Sequence, residues 1–378
     1  MESIEQMIKR LCPKGVEYVK LGEVASIKNG RDHKKYEDGD VPVYGSGGVM
    51  RHIETFIYNK PSVLLPRKGS LGNVLFVDEP FWTVDTMFWT VIDRRRVNEK
   101  FLFYYLKNYH IEKLSLTNGG AVPSLTQSQL NDILIPLPPL EIQSRIVEVL
   151  DKMTTLTAEL EAELEARKQQ YEYYRNKLLS FNEIGEANRQ VTWKKISEIG
   201  QICMCKRIMK DQTHKQGEIP FYKIGTFGGT ADAYISRELF EDYRARFKFP
   251  KKGDLLISAA GTIGKTVVFD GKDSYFQDSN IVWVDNDETI VTNRYLYHIY
   301  KIINWKTDGG TIRRLYNDNL RNTIIPVPSM QEQQRIVSIL DRFEALTTDL
   351  QSGLPAEIEA RRQQYEYYRN KLLTFEAV

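Results

Sequence analysis

The stretch Gln-Gln-Tyr-Glu-Tyr-Tyr-Arg-Asn-Lys-Leu-Leu occurs twice in this chain, at Gln169–Leu179 and at Gln363–Leu373, and is identical at every position. The copies lie about half the chain apart, which indicates two tandem halves. The identity covers every face of a helix and includes the polar residues Glu172, Arg175 and Lys177, whereas a buried stripe would need only its apolar positions. We therefore expect something outside the helix to bind the same surface twice.

The segments before the repeat also recur, and the match becomes thinner with distance from it. Arg145–Asp151 returns as Arg335–Asp341, whereas farther upstream only short pieces match, such as Gly69–Gly72 with Gly261–Gly264. Each half therefore consists of a diverged body followed by a nearly invariant helical spacer. The predicted segments are body 1 with a short N-terminal helix (1–136), the first spacer (137–185), body 2 (186–328) and the second spacer (329–378).

The composition is that of a globular protein that can bury cores, with 42% hydrophobic and 27% charged residues. No run approaches the ~18 apolar residues of a membrane span, and the first residues do not form a signal peptide. Three cysteines and five scattered histidines give neither a disulfide framework nor zinc-ligand spacing, so we expect a cytoplasmic protein without a bound metal. The net charge of +2 neither favours nor excludes nucleic acid.

Both spacers carry an apolar residue at every third or fourth position, which predicts long helices. We expect the two helices to pair as an antiparallel coiled coil with pseudo-twofold symmetry; the alternative is that each helix docks only on its own body. The second spacer contains one extra four-residue unit, and Ser352–Pro355 should break its helix. The first spacer has no such breaker and should form one continuous helix.

The bodies are predicted to be mixed α and β, so the fold class is α+β with two tandem domains, each followed by a long helix. Helices are expected at Glu99–Asn108 and Asn293–Lys301. Short β-rich runs between turn residues predict strands at Ser62–Leu65, Asn73–Val77, Phe88–Ile92, Asp254–Ser258, Thr266–Phe269 and Ile281–Val284.

Polar, glycine-containing loops recur at matching places in the two bodies. Glycine lets a backbone approach a ligand closely, while Arg and Lys supply charge and paired donors for phosphates and base edges. Each loop alone fits an ordinary solvated turn, but the recurrence favours DNA binding. The predicted DNA-binding residues are Lys28, Asn29, Arg31, Lys34, Lys35, Ser46, Arg67, Lys68 and Ser70 in body 1, and Lys206, Arg207, Thr226, Thr262, Lys265, Arg313 and Arg314 in body 2.

One segment of body 2 fits a relaxed phosphate-loop pattern, Ala259 followed by Gly264-Lys265-Thr266. A phosphate loop must be followed by a helix whose N-terminus holds the anion. The β-branched residues from Thr266 onward predict a hairpin instead. A nucleotide hydrolase that uses Lys265 and Thr266 is an alternative, and it predicts that the chain binds ATP without a partner. The sequence shows no established catalytic motif.

The helical motifs resemble those of the DNA-specificity subunits of type I restriction–modification systems. The stretches that carry the resemblance are Thr157–Leu160, Gln170–Arg175, Gly353–Arg361 and Gln364–Arg369. It covers the whole chain, but in the bodies it concerns only the fold. It implies that each body reads one half of a split target in double-stranded DNA, and that the helices set the spacing between the halves.

The resemblance also implies partners for the two helical spacers. These would be two modification (methyltransferase) subunits, which use S-adenosylmethionine, and ATP-driven restriction subunits that use Mg. This chain would hold no cofactor and would not be an enzyme itself. The predicted partner-binding residues are Glu172, Tyr173, Arg175, Lys177, Glu366, Tyr367, Arg369 and Lys371. A coiled-coil adaptor without DNA selectivity is the competing interpretation.

Overall fold

The structure is a computed structural model that describes residues 2–117, 123–181, 191–308, 313–349 and 351–378. The chain divides into two compact units. Unit 1 comprises Met1–Ala162 and Ala356–Val378, and unit 2 comprises Glu163–Pro355. Each unit therefore combines one body with parts of both spacers. The sequence-based boundaries of the four segments stay a prediction.

Body 1 and the first spacer contain the first fourteen labelled elements of the described chain. In chain order they are α1 (Ile4–Leu11), β1 (Tyr18–Lys20), α2 (Leu21–Val24), β2 (Ala25–Asn29), β3 (Val41–Gly45), β4 (Gly48–Ile53), β5 (Ser62–Pro66), β6 (Leu75–Val77), β7 (Trp82–Thr83), β8 (Met87–Ile92), α3 (Glu99–Tyr109), α4 (Gln127–Asn131), β9 (Leu134–Pro136) and α5 (Leu140–Leu179).

Body 2 and the second spacer follow the same plan. Their labelled elements are β10 (Val191–Lys195), β11 (Gly200–Met204), β12 (Ile219–Tyr222), β13 (Ala233–Ile235), α6 (Arg237–Arg246), β14 (Leu255–Ser258), β15 (Thr266–Val268), β16 (Tyr275–Phe276), β17 (Ile281–Asn286), α7 (Asn293–Tyr300), α8 (Asn317–Asn322), β18 (Ile324–Pro328), α9 (Met330–Thr348) and α10 (Leu354–Leu372).

The two bodies have the same sheet topology. In body 1 a four-stranded antiparallel sheet has the order β2-β8-β5-β6, a mixed three-stranded sheet has the order β4-β3-β7, and β1 pairs with β9. In body 2 the corresponding orders are β11-β17-β14-β15, β13-β12-β16 and β10-β18. The predicted mixed α and β fold with two tandem domains is therefore confirmed, although little of the body sequences matches.

The interior strands and the body helices follow from local sequence. β5 and β14 are buried at every residue, as their continuous apolar runs predict. Asn98 caps α3 by accepting hydrogen bonds from the backbone N–H groups of Lys100 and Phe101, and Thr292 caps α7 through Tyr295. The predicted helices at Glu99–Asn108 and Asn293–Lys301 agree with α3 and α7 within one residue at their ends.

The spacer helices differ as predicted. α5 is one continuous helix of 40 residues, which corresponds to about 60 Å at 1.5 Å per residue. The second spacer instead forms two helices, α9 and α10, separated around Gly353. Pro355 lies in the first turn of α10. Backbone N–H groups in the first turn of a helix have no intrahelical acceptor, so the proline removes no helical hydrogen bond there.

The leucines at the end of each repeated segment are buried in the core of the other half's body. In unit 1, Leu373 belongs to the same apolar core as Ile146 and α3 of body 1. In unit 2, Leu178 and Leu179 share a core with α7 of body 2. Each body thus packs against the start of its own spacer and the end of the other one.

The helices also pair antiparallel inside each unit. In unit 1, Arg362 of α10 forms an ion pair of 2.5 Å with Glu161, and Leu373, just after α10, shares a core with Ile146, which lies earlier in α5. In unit 2, Tyr174 of α5 stacks on Phe343 of α9, with ring centroids 5.6 Å apart. The predicted helix pairing is therefore present, and docking of each helix only on its own body is excluded.

Candidate nucleic-acid interface

The loop after β2 in body 1 has a fixed backbone and exposed basic side chains. The Arg31 N–H donates to the Thr83 carbonyl at 2.8 Å, and Trp82 Nε1 donates to the Arg31 carbonyl at 2.9 Å. Gly30 is needed here, because a Cβ atom would lie 2.0 Å from the Val84 carbonyl oxygen. The side chains of the predicted residues in this region point to solvent: Lys28, Asn29, Arg31, Lys34 and Lys35.

This loop forms one wall of a cleft of about 760 Å³. The opposite wall is the tip of the β3–β4 hairpin, and the floor comes from the loop between β7 and β8. The lining residues are Asp32, His33, Lys34, Gly45, Ser46, Gly47, Met50, Val84, Asp85 and Thr86. The structure therefore brings the predicted residues Lys34 and Ser46 to the same cleft.

The loop between β5 and β6 lies against the same hairpin tip. Asn73 Nδ2 donates to the Ser46 carbonyl at 2.9 Å, and Gly69 has a left-handed φ of +86° beside the Ser46 hydroxyl. The Arg67 N–H donates to the Thr86 carbonyl at 2.8 Å, while its guanidinium lies 5.8 Å from the Phe88 ring centroid. Lys68 and Ser70 are exposed, so this loop also presents polar groups at the cleft's side.

In body 2 the loop between β14 and β15 carries Lys265, whose ammonium group is hydrogen-bonded to another loop of the protein. Lys265 Nζ donates to the Phe227 carbonyl at 2.6 Å and so holds the glycine-rich loop of Gly225–Gly229. The Thr226 hydroxyl oxygen accepts from the Lys223 N–H at 3.1 Å within the same loop. Strand β15 begins at Thr266. The predicted hairpin is therefore confirmed, and the helix that a phosphate loop requires does not follow Lys265.

The two predicted arginines of body 2 have different surroundings. Arg314 Nη2 donates to the carbonyl and hydroxyl oxygens of Ser279 and to Asn280 Oδ1. Arg313 is exposed, and no ion-pair partner for it lies among the described residues. Thr262 is exposed on the loop between β14 and β15. Of the remaining predicted pair, Lys206 lies 5.2 Å from the Phe247 ring centroid, while Arg207 is exposed.

A charged network joins α7 to α9 in unit 2. Asp341 accepts from Arg294 Nε and from His298 Nε2, both at 2.8 Å, and Glu344 accepts from Tyr297 and Lys301. Burial lowers the pKa of His298, although Asp341 opposes the shift. Burial would raise the pKa of Glu344, but hydrogen bonds from Lys301 and Tyr297 outweigh it and hold that pKa below its ordinary value.

His298, Asp341 and Glu344 are close enough to share a cation. Their charge is already balanced, since Arg294 and Lys301 bind the two carboxylates. In unit 1 the same place holds Asp151, which accepts from Lys100 at 2.7 Å and from Tyr104 at 2.6 Å. The network therefore serves to hold each body helix on its spacer helix.

The repeated helical segments present matching surfaces in the two units. Tyr173 and Tyr367 are 59% and 61% exposed. The predicted partner-binding residues Glu172, Lys177, Glu366 and Lys371 are also exposed. Arg175 and Arg369 are not fully available, because their Nε atoms are buried and their guanidinium groups lie 5.5 Å from the rings of Tyr171 and Tyr365.

A comparison with known protein families decides what kind of chain carries these features. The model of the type I restriction modification DNA specificity domain matches twice, at residues 13–167 and 188–360. The chain belongs to this DNA specificity family. A Haemophilus influenzae protein named as a type I restriction enzyme specificity subunit is 46% identical over 377 residues, which cover 95% of this chain and 96% of the relative.

Two further family comparisons agree. The EcoR124I/EcoR124II specificity subunit of Escherichia coli is 36% identical over 255 residues, covering 64% of this chain and 61% of the relative. The crystal structure of the type I restriction–modification S subunit from M. genitalium has a TM-score of 0.61 at 16% identity, with 95% of this chain and 96% of that one covered, so it supports the fold. No described helix is long and apolar enough to cross a membrane.

Sequence reasoning missed several residues at the candidate interface of this specificity-family chain. His33 lines the body 1 cleft with an unpaired Nδ1, and Met50 at the hairpin tip is 62% exposed. His33 stands in the same polar loop as Lys34 and Lys35, whereas Met50 carried no sequence signal, because its exposure depends on how β3 and β4 pair. Tyr316 in body 2 is 50% exposed. An alignment of the two halves would have found it, because Thr126 occupies the equivalent helix cap in body 1.

Proposed function

We propose that this chain is the part of a type I restriction–modification enzyme that selects the DNA sequence, and that each body reads one half of a split target. The observation that carries the proposal is the use of one nine-strand topology twice with different loop side chains. Because the two bodies have the same strand topology, their loops would approach each half-sequence in the same way. The loop side chains differ between the bodies and would therefore contact different bases. The target should therefore be asymmetric.

The spacers set the distance between the two half-sequences in this proposal. α5 is a continuous helix of 40 residues, so its length is fixed by its residue count. Its four-residue apolar units allow a whole unit to be added without loss of the packing face. A rigid helix is suited to hold a defined spacing, whereas a flexible linker would allow many.

The repeated surfaces are proposed to bind two copies of one modification subunit. They have the same sequence and nearly the same exposure in each unit, as Tyr174 and Tyr368 also show at 37% and 39%. Two surfaces with the same sequence and exposure can bind two copies of the same protein. S-adenosylmethionine would then be held by those subunits, and ATP and Mg by the restriction subunits, while this chain contributes specificity without a cofactor.

The proposal is tested by co-expressing the chain with its cognate modification subunit and mapping methylated adenines across the genome. We expect one motif made of two different half-sequences with an unread spacer of fixed length. A continuous or fully palindromic motif would contradict the proposal. Partner binding with no sequence-dependent methylation would favour the adaptor interpretation instead.

A further inference from the structure

Tyr316 occupies a helix N-cap position in body 2, where Ser, Thr, Asp or Asn would stabilise the helix better. It is the N-cap residue of α8, and its side chain makes no capping hydrogen bond. In body 1 the equivalent residue Thr126 forms a reciprocal capping box with Gln129, whose backbone N–H donates to the Thr126 hydroxyl at 3.3 Å. Threonine is a much better N-cap than an aromatic residue. The tyrosine is therefore not explained by the helix that it precedes.

The segment around Tyr316 is held firmly in place. Arg314 exchanges backbone hydrogen bonds with Asp308 at 3.0 and 3.1 Å, and the Leu315 N–H donates to the Ala259 carbonyl at 2.9 Å. The Arg314 guanidinium, bound to Ser279 and Asn280, lies 6.0 Å from the Tyr316 ring centroid. A half-exposed ring on such a segment loses little further freedom when it binds a ligand.

The neighbouring charges are those that a DNA contact uses. Arg313 is exposed and Arg314 is half-buried beside the ring. Body 1 has Pro123 and Ser124 at the same two places, so it carries neither positive charge nor aromatic group there. Exposed tyrosines and arginines on rigid supports are the side chains that most often dominate a binding interface.

We propose that Tyr316 and Arg313 contact DNA and that Tyr316 determines specificity for the half-sequence read by body 2. Tyr316 would place its ring against an apolar base edge such as a thymine methyl group, with its hydroxyl directed to a polar group of the same site. Arg313 binds a phosphate, and Arg314 is a positioning residue that fixes the ring. This inference rests on the proposed function and adds a residue-level assignment to it.

The test uses the complex with the modification subunit and a duplex that carries the target mapped for the unchanged protein. Tyr316→Thr installs the residue of body 1, and its hydroxyl can accept from the backbone N–H of Asn319, so we expect a melting temperature at least as high as that of the unchanged protein. We expect affinity to fall about 5- to 100-fold and discrimination to relax only in the half-sequence of body 2.

Arg313→Gln gives a second readout that does not depend on the folding of the tyrosine variant. We expect a similar loss for all sequences and a decrease of about one in the slope of log K against log salt concentration. Tyr109→Ala is the control, since Tyr109 is 39% exposed at the end of α3 in body 1. It should change neither affinity nor the methylated motif.

The outcomes separate this inference from the function on which it rests. If the unchanged protein directs methylation to a split motif and Tyr316→Thr keeps the same affinity and discrimination, the assignment of Tyr316 is wrong. An unchanged salt slope in Arg313→Gln would likewise overturn the phosphate contact. If the unchanged protein gives no split motif, the proposed function itself fails.

Discussion

Two lysines on equivalent loops show why charge alone does not identify a DNA contact. Lys68 lies between β5 and β6 in body 1 and is exposed. Lys265 lies between β14 and β15 in body 2, and its ammonium group donates to the Phe227 carbonyl at 2.6 Å. Both residues carry the same charge, but of the two only Lys265 has an ammonium group that is hydrogen-bonded to a protein acceptor among the described residues. Their substitutions should therefore have different effects.

Lys68→Gln should reduce the slope of log K against log salt concentration by about one, because a phosphate contact releases about one counterion. Lys265→Gln should lower DNA affinity without changing the slope, because it frees the loop of Gly225–Gly229 and removes no phosphate contact. The measurement is a salt titration of DNA binding by the complex with the modification subunit. Equal slope changes in both variants would show that Lys265 also faces a phosphate.

His298 makes the stability of unit 2 depend on pH. Its ring is fully buried against Asp341 and Tyr297, with Glu344 and Arg294 close by, and burial lowers its pKa from 6.5. The unfolded chain therefore binds more protons than the folded chain below about pH 6.5, so the free energy of unfolding should decrease as pH falls from there. The slope is at most about 1.4 kcal/mol per pH unit for one proton.

His298→Gln should remove this slope, because Gln can still donate to Asp341 but does not titrate. The measurement is the free energy of unfolding in denaturant between pH 5 and pH 8. Glu344 has a lowered pKa, so its contribution is present above 4.5 and is lost only at more acid pH. His52→Gln, at an exposed position, is the control. A slope that persists in His298→Gln would assign the effect to another group.

At the scale of elements, the spacer helix is the part whose length should set the DNA target. Inserting Thr-Ala-Glu-Leu after Leu160 of α5 adds about 6 Å of helix and repeats the unit at Thr157–Leu160. The apolar tetrad keeps the packing face, so the helix pair should survive with a local change of twist. With ~3.4 Å between base pairs, the unread spacer should lengthen by about one or two pairs.

Methylome mapping of the insertion variant is the measurement. Both half-sequences should remain unchanged, because no recognition loop is altered. A helix-breaking insert of the same length, Gly-Pro-Gly-Ser at the same position, is the control and should abolish a defined spacing. Efficient methylation of the original spacing by the Thr-Ala-Glu-Leu variant would show that α5 does not set the distance.

At the scale of the whole molecule, the repeat predicts two partner sites of the same kind. Joint alanine substitution of Glu172, Tyr173 and Lys177 should remove one modification subunit, and the same change at Glu366, Tyr367 and Lys371 should remove one as well. All six side chains are exposed, so the substitutions leave the apolar cores intact. Both changes together should abolish the complex.

Native mass spectrometry of the co-expressed complexes measures this stoichiometry. Glu159→Ala with Glu165→Ala is the matched control, because both glutamates are exposed on α5 outside the repeat. An unchanged complex in both triple variants would refute the partner assignment. One difference between the sites is already present, because Lys371 pairs with Glu5 of α1 at 2.6 Å whereas Lys177 has no ion-pair partner among the described residues. The second site should therefore tolerate single substitutions of its lysine less well.

The sequence by itself determined the tandem organisation, the mixed α and β bodies, the continuous first helix and the break in the second. These features depend on signals that are local in the chain. Four-residue apolar spacing specifies a helix, Ser352–Pro355 interrupts one, and β-branched residues after Lys265 specify a strand. The repeated segment also carried part of the resemblance to the DNA specificity family, together with Thr157–Leu160 and Gly353–Arg361.

Only the tertiary structure decided which body each repeat joins and which basic groups remain free. Leu373 belongs to the core around body 1, although body 2 is closer to it in sequence, and Leu178 and Leu179 belong to the core around body 2. Lys265 donates to Phe227 and Arg314 donates to Ser279, both in other loops, while Lys68 and Arg313 are exposed. These assignments depend on contacts between residues far apart in the chain, and such contacts follow from how cores and loops pack, which no local pattern of residues encodes.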